Sequence, residues 1–369
     1  MLLEPDSIAS QVLLNCTICD SRHAGLYSVC GLALRLRDLY KWENGLDPWV
    51  EKDSSEILEW IGDKEEEWDK LGERDFSEIT ILGKDYDPFD TEGINAVLEP
   101  HGLFYGAGFV YSLKPAFILA VLEEKKEIDD YTVYILGREL ARDLLTLPAL
   151  SQGSSIIIRK ESAKLFLWNK ILFIRKSGRL ALKFALKNYG LDLQDSQTLR
   201  RNLEMVSANE IETYIYHELG EIQDSAFNRD TWKEIIATFP HTPIELLSRS
   251  VKDLLADTNR YGTLRHIIEK RKTASLGFYV AFLDGLTKEL FPEVFTAFEK
   301  FIQTSNWNPI EQAVSAGYNK AKYYAESLIN IYEKGKKRKD MIWAAEEIKN
   351  RLLVPMGVWQ QEKPSDPQP

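Results

Sequence analysis

The sequence predicts a mostly α protein, a multi-helix array carrying a small irregular or α/β element in its N-terminal part. Three observations predict it. Apolar residues recur at helical spacing through much of the 369-residue chain. Proline, glycine and small polar residues punctuate that pattern where helices would start and stop. Stretches with strand character are few; Phe104 to Tyr111 and Ile156 to Ile158 are the best, and both are short.

Ser54 or Ser55 caps a helix whose apolar positions Ile57, Trp60, Ile61, Trp68 and Leu71 recur at helical spacing. Thr91 opens a short helix that Pro100 and Gly102 close. Ser112 and Pro115 start another that runs through Leu122, since proline is tolerated in a first helical turn. Beyond Ser155 long helices follow, broken at Gly190-Leu191-Asp192, at Phe239-Pro240, at Tyr261-Gly262 and from Ser305 to Pro309. The small residues Ser151 to Ser155 divide a mainly helical N-terminal domain, 1–150, from an all-helical C-terminal domain, 151–355. Residues 356–369, ending polar and proline-rich, read as a flexible tail. No repeat period is present.

Composition sets the outer limits. Hydrophobic residues make up 44% of the chain and aromatics 11%, enough to bury a sizeable core. A formal net charge of −11 favours solubility and argues against general affinity for nucleic acid or anionic membranes. Only three cysteines occur, which makes a disulfide framework a poor reading and a reducing compartment the simpler one. Met1 to Ser10 carries Glu4 and Asp6 and lacks the basic and apolar regions of a secretory signal. The longest apolar stretches, such as Phe117 to Leu122, fall far short of a transmembrane segment. A cytoplasmic setting is the default expectation.

All three cysteines lie in one fifteen-residue window, as Cys16-x-x-Cys19-x-x-x-His23-x6-Cys30. Thiolates and an imidazole are the ligands that a tetrahedral zinc ion prefers. On a continuous helix, however, these positions form one stripe, with Cys30 about 21 Å up the axis from Cys16 at roughly 1.5 Å per residue. Chelation by all four therefore requires a break at Ala24-Gly25. Two alternatives stand beside it: the cysteines are small core residues of a buried stripe, or His23 assists a thiolate nucleophile.

A second candidate is His217-Glu218-Leu219-Gly220-Glu221, inside a helix from Asn209 to Asp224. It resembles the HExxH zincin signature, with Glu221 in place of the second histidine. A histidine and a carboxylate four residues apart on a helix can share one metal. Asp253 and Asp257 repeat that spacing on the helix from Pro243 to Thr258, flanked by His241 and His266. The metal reading takes His217, Glu221 and one of Asp253 or Asp257 as ligands to zinc or iron, with Glu218 as general base. The competing reading places the apolar stripe on Ile211, Ile215, Leu219, Ile222 and Ala226, which leaves His217, Glu221 and Asp224 on a solvated face.

Other features carry less. Asp85 to Asp90 with Glu92 offers oxygen ligands, but helix capping by Asp90 or Thr91 explains the carboxylates more cheaply. Ile156 to Lys187 holds nine basic residues against Glu161 alone, interleaved with Phe166, Trp168, Phe173 and Phe184. As a basic amphipathic helix it either contacts a partner or packs against acidic neighbours such as Asp63 to Glu67. Lys336 to Lys339 reads as a solvated loop between two helices. No phosphate-binding GxxxxGK[ST] loop, GxGxxG turn or GxSxG elbow is present.

The run Asn15 to Glu43, with Cys16-Thr-Ile-Cys19, His23-Ala-Gly25 and the Leu34 to Trp42 segment, resembles an uncharacterised bacterial protein family. Asp85 to Asp90 and His217-Glu218 are similar to it as well. The family has no assigned activity, so the resemblance supplies no residue roles and implies only a bacterial, cytoplasmic setting. Two functional classes follow from the residues: a metal-binding protein that could also be a metal-dependent enzyme, or a non-catalytic interaction or regulatory protein that meets a protein partner through its helical surfaces.

Overall fold

The computed structural model describes residues 3–110 and 114–359, and the chain divides into two compact units. Met1–Phe173 and Ser196–Ile211 form the first; Ile174–Asp195 and Glu212–Pro369 form the second. The protein is mostly helical, as the periodicity predicts, with an α/β element in the first unit.

In the first unit, α1 (Pro5–His23), α2 (Val29–Glu43) and α3 (Ser54–Leu71) precede a small hairpin of β1 (Ile79–Ile81) and β2 (Lys84–Tyr86). Asp53, one residue before the expected serines, caps α3 by accepting from Ser55 N. Next comes α4 (Thr91–Leu98), with Asp90 as its cap, accepting from Gly93 N at 2.9 Å. Asp87 accepts from Phe89 N, so turn and cap bonds occupy the acidic loop, as the cheaper reading held.

A five-stranded sheet then forms from β3 (Leu103–Val110), β4 (Lys114–Ile128), β5 (Tyr131–Arg142), β6 (Ala149–Gln152) and β7 (Ser155–Arg159), in the order β3-β4-β5-β7-β6. Both strand candidates are realised, apart from Tyr111, which lies outside the described residues. The helix expected through Leu122 is instead the interior strand β4, between β3 and β5, with its proposed cap Ser112 also outside the described residues. The physical reason is burial on both faces. Phe117 and Leu119 join a core with Ile8, Val12 and Cys16 of α1, while Ile118 and Ala120 face Phe104, Leu136 and Ile157. A strand covered on both sides reads as a continuous apolar run, which periodicity does not separate from a buried helix.

The small-residue stretch Ser151 to Ser155 is no domain break but the tip of the β6–β7 hairpin, with Gly153 and Ser154 as its turn and Gln152 paired to Ser155. The expected basic helix is also divided, into β7, α5 (Lys160–Leu172), a 3-10 turn at Lys176–Gly178 and α6 (Arg179–Asn188). Its first cations are already engaged within the first unit. Arg159 donates Nε and Nη2 to the buried Glu139 at 3.0 and 2.9 Å, Lys160 bonds Glu123, and Lys164 pairs with Glu204.

α7 spans Ser196–Gln223, and only its part from Glu212 onward belongs to the second unit. That unit continues with α8 (Arg229–Thr238), α9 (Pro243–Thr258), α10 (Thr263–Glu269), α11 (Thr273–Phe282), α12 (Gly285–Leu290), α13 (Glu293–Thr304), α14 (Asn308–Arg338) and α15 (Met341–Ile348). All four predicted helix breaks are present. Lys336 to Arg338 form the last turn of α14 rather than a loop, with Lys339 as its left-handed cap and Lys336 paired to Glu234. Among the described residues no helix is long and apolar enough to cross a membrane. Residues 360–369 of the expected tail lie outside the described residues.

Candidate metal centre

The second unit builds a polar cluster from two helices that touch through their backbones. On α7, Gly220 is where they meet: a Cβ placed on it would stand 2.1 Å from the Ala256 carbonyl oxygen on α9. No other residue permits this approach. A Cβ on Gly262, just past α9, would lie 2.0 Å from the same oxygen, and Asn259 Nδ2 donates to Gly220 O at 2.8 Å. The glycine inside His217-Glu218-Leu219-Gly220-Glu221 thus brings the histidine one turn before it against α9.

His217 Nδ1 donates to Asp257 Oδ1 at 2.8 Å. Ligand atoms of His217, Glu221 and Asp253 all lie within 4.8 Å of one another. The face of α7 expected to be solvated is therefore packed against α9, because Gly220 removes the side chain that would hold the helices apart. His241 and His266 are elsewhere. His266 is buried, stacks on Tyr216 with ring centroids 3.8 Å apart, and meets Glu212 at 3.2 Å.

The electrostatics of the cluster are tightly linked. Burial alone would lower the His217 pKa, but the Asp257 charge and hydrogen bond, with Glu218 and Asp253, outweigh it and push the imidazole up to about 10. Desolvation pushes Asp253 up to about 6, reinforced by Glu221 and Asp257 and opposed by His217. Glu221 is desolvated too, yet Lys252, which donates to its Oε1, holds it below the usual range. Lys252 Nζ also lies 3.9 Å from the Trp232 ring centroid. The buried Tyr279 hydroxyl of α11 is held protonated by burial and by the Asp257 charge.

Asp257 fixes the orientation of the ring through Nδ1, and Nε2 is the nitrogen it leaves unengaged. The helical spacing pointed to His217, Glu221 and the aspartate pair. It gave no signal for Lys252 or Tyr279, whose neighbours come from tertiary packing.

The N-terminal group is arranged differently. Cys16 and Cys19 lie on one continuous helix that ends at His23, and both are buried against β4. Cys16 Sγ donates to Phe117 O at 3.4 Å and Cys19 Sγ to Pro115 O at 2.8 Å. His23 Nδ1 meets the Cys19 carbonyl at 2.8 Å, capping its own helix. Cys30 is exposed on α2. The chain does turn at Ala24–Leu26, but among the described residues Cys16, His23 and Cys30 belong to no cluster with metal-binding spacing. The four expected ligands do not converge, because packing α1 on the sheet turns the two thiols into the core. Burial pushes both thiols up, so neither is a ready thiolate.

Cys19 instead groups with Asp20 and Asp143, all three buried. A protein cation already serves that group: Lys114 Nζ lies 3.1 Å from Asp20 Oδ1 at 1% side-chain exposure. Asp20 also accepts from Leu144 N at 3.0 Å, which ties α1 to the segment after β5.

The DUF6866 N-terminal domain, a family of unknown function, matches residues 7–159, and the DUF6866 C-terminal domain matches residues 164–351. The chain belongs to the DUF6866 family. The first match ends with β7, the strand that lies between β5 and β6, and the second opens within α5. Comparison with curated proteins and with solved structures returned no match.

Proposed function

We propose that this DUF6866 protein binds a divalent transition metal, zinc or iron, in its second unit, with His217, Glu221 and Asp253 as ligands. The convergence of one imidazole and two carboxylates within 4.8 Å, with the imidazole oriented by Asp257 at 2.8 Å, carries the reading. A nitrogen and two carboxylate oxygens suit either ion, and three protein ligands leave a coordination position for water. Glu218 is the residue this reading assigns to general-base work on that water; it follows His217 directly, and its charge acts on the imidazole. Lys252 donates to Oε1 of Glu221, which keeps that carboxylate ionised and able to act as a ligand.

Metal analysis of the purified full chain after incubation with zinc or ferrous iron and desalting tests the proposal. One equivalent retained by the wild type, lost in His217→Ala and kept in Cys16→Ser/Cys19→Ser, is the expected result. A folded wild type that retains no metal, or a His217→Ala variant that retains as much, overturns it.

A further inference from the structure

Beyond the ends of α7 and α9 the second unit opens into a cleft of about 510 Å³, lined chiefly by polar side chains. Arg260 and Arg265 both line it, and among the described residues neither forms an ion pair with a carboxylate. Two arginines outside any ion pair, against one carboxylate in the same lining, leave the cleft with an excess of positive charge in a chain of net charge −11. Each also meets a neighbouring side chain, Arg260 from an exposed position. The Arg260 guanidinium carbon lies 4.5 Å from the Tyr261 ring centroid, and Arg265 Nη2 donates to Ser315 Oγ at 3.1 Å.

Hydrogen bonds pin the turn that carries Arg260, and Arg265 follows on α10. Asn259 is buried, donates to Gly220 O and accepts from Tyr261 N at 2.8 Å, which fixes the turn from α9 into Arg260 and Tyr261. Asp224 is the one carboxylate in the lining; its Oδ1 accepts from Ala226 N at 2.8 Å, and its charge acts on the Tyr318 hydroxyl. Two guanidinium groups, two tyrosines and the amides of Gln223, Asn259 and Asn319 in one lining match an oxyanion attached to a small polar body.

We propose that this cleft binds the dianionic phosphate group of a small molecule, with Arg260 and Arg265 as its two cationic contacts. The proposal does not depend on a metal at His217, because none of the three proposed ligands lines the cleft. Tyr261 and Tyr318 flank the space that the organic part would fill.

Calorimetric titration of the full chain with inorganic phosphate and with adenosine monophosphate, both in excess EDTA, tests it apart from metal binding. Saturable binding that weakens by about tenfold or more in Arg260→Gln and in Arg265→Gln, but not in Lys322→Gln on the exposed side of α14, is the expected result. Tighter binding of the nucleotide than of phosphate assigns a contribution to the organic part, and equal binding assigns the recognition to the phosphate; both support the site. Absence of saturable binding by either probe overturns the proposal. So does unchanged affinity in the two arginine variants with wild-type melting curves, or an equal loss in Lys322→Gln.

Discussion

Gly220 of α7 and Ala256 of α9 meet main chain to main chain, and this contact sets the distance between His217 and Asp257. Gly220→Ala places a methyl group where the Ala256 carbonyl oxygen already is, so the helices must separate. We expect a loss of about 1–3 kcal/mol of stability, typical of overpacking at a close contact. Chemical denaturation measures the loss. Histidine NMR should also report a fall in the His217 pKa as Asp257 withdraws; an unchanged titration would mean that the contact does not position the pair.

Metal affinity should rise with pH. Asp257 and its neighbours hold the free imidazole pKa up to about 10, so at neutral pH a metal has to displace a proton from His217. Apparent zinc affinity is expected to climb steadily from pH 6 to pH 8, in a chelating buffer that fixes free zinc. Asp257→Asn removes the main source of the upward shift, so its affinity should depend less on pH over that range. A wild-type affinity that is flat with pH would contradict a protonated His217.

The first unit should weaken in acid through Glu139. Burial alone would raise this carboxyl, but Arg159 and Arg142, with Ser162, hold it below its usual range. A depressed folded-state pKa contributes stability above the unfolded value of about 4.3, and that stability is lost as pH falls through the folded value. Glu139→Gln leaves two buried guanidinium groups without their counter-ion, at a cost of about 3–5 kcal/mol near neutrality. Urea unfolding between pH 3 and pH 7 should show the gap between variant and wild type closing at the acid end. A constant gap would assign the destabilisation to packing instead.

The helical breaks were legible because proline, glycine and capping residues act locally. Asp90 caps α4, and Gly102, read as the stop, caps the 3-10 turn Glu99–His101 that directly follows it. Strand β4 was not legible, because its identity depends on β3 and β5 covering both edges and on α1 covering one face. The cluster around His217 was half legible. His217 and Glu221 share a face by spacing alone, as do Asp253 and Asp257, but bringing the two pairs together is a tertiary event. One trace of it does lie in the sequence: Gly220 sits in the middle of a helix, where it costs stability unless close packing requires it. The cysteine group misleads for the converse reason. Ligand spacing and a buried helical stripe share one pattern, and the apolar residues of the sheet decide in favour of the stripe.

The placement of the three cysteines gives the folded chain a specific valency toward thiol reagents. Cys16 and Cys19 are enclosed and protonated, whereas Cys30 stands open on α2. The native protein therefore offers one reactive sulfur. A maleimide dye added without denaturant attaches once, giving a homogeneous fluorescent conjugate with its label on α2. In air, without reductant, the covalent product stops at a pair of chains joined through Cys30, because a monovalent unit has nothing left with which to extend a polymer.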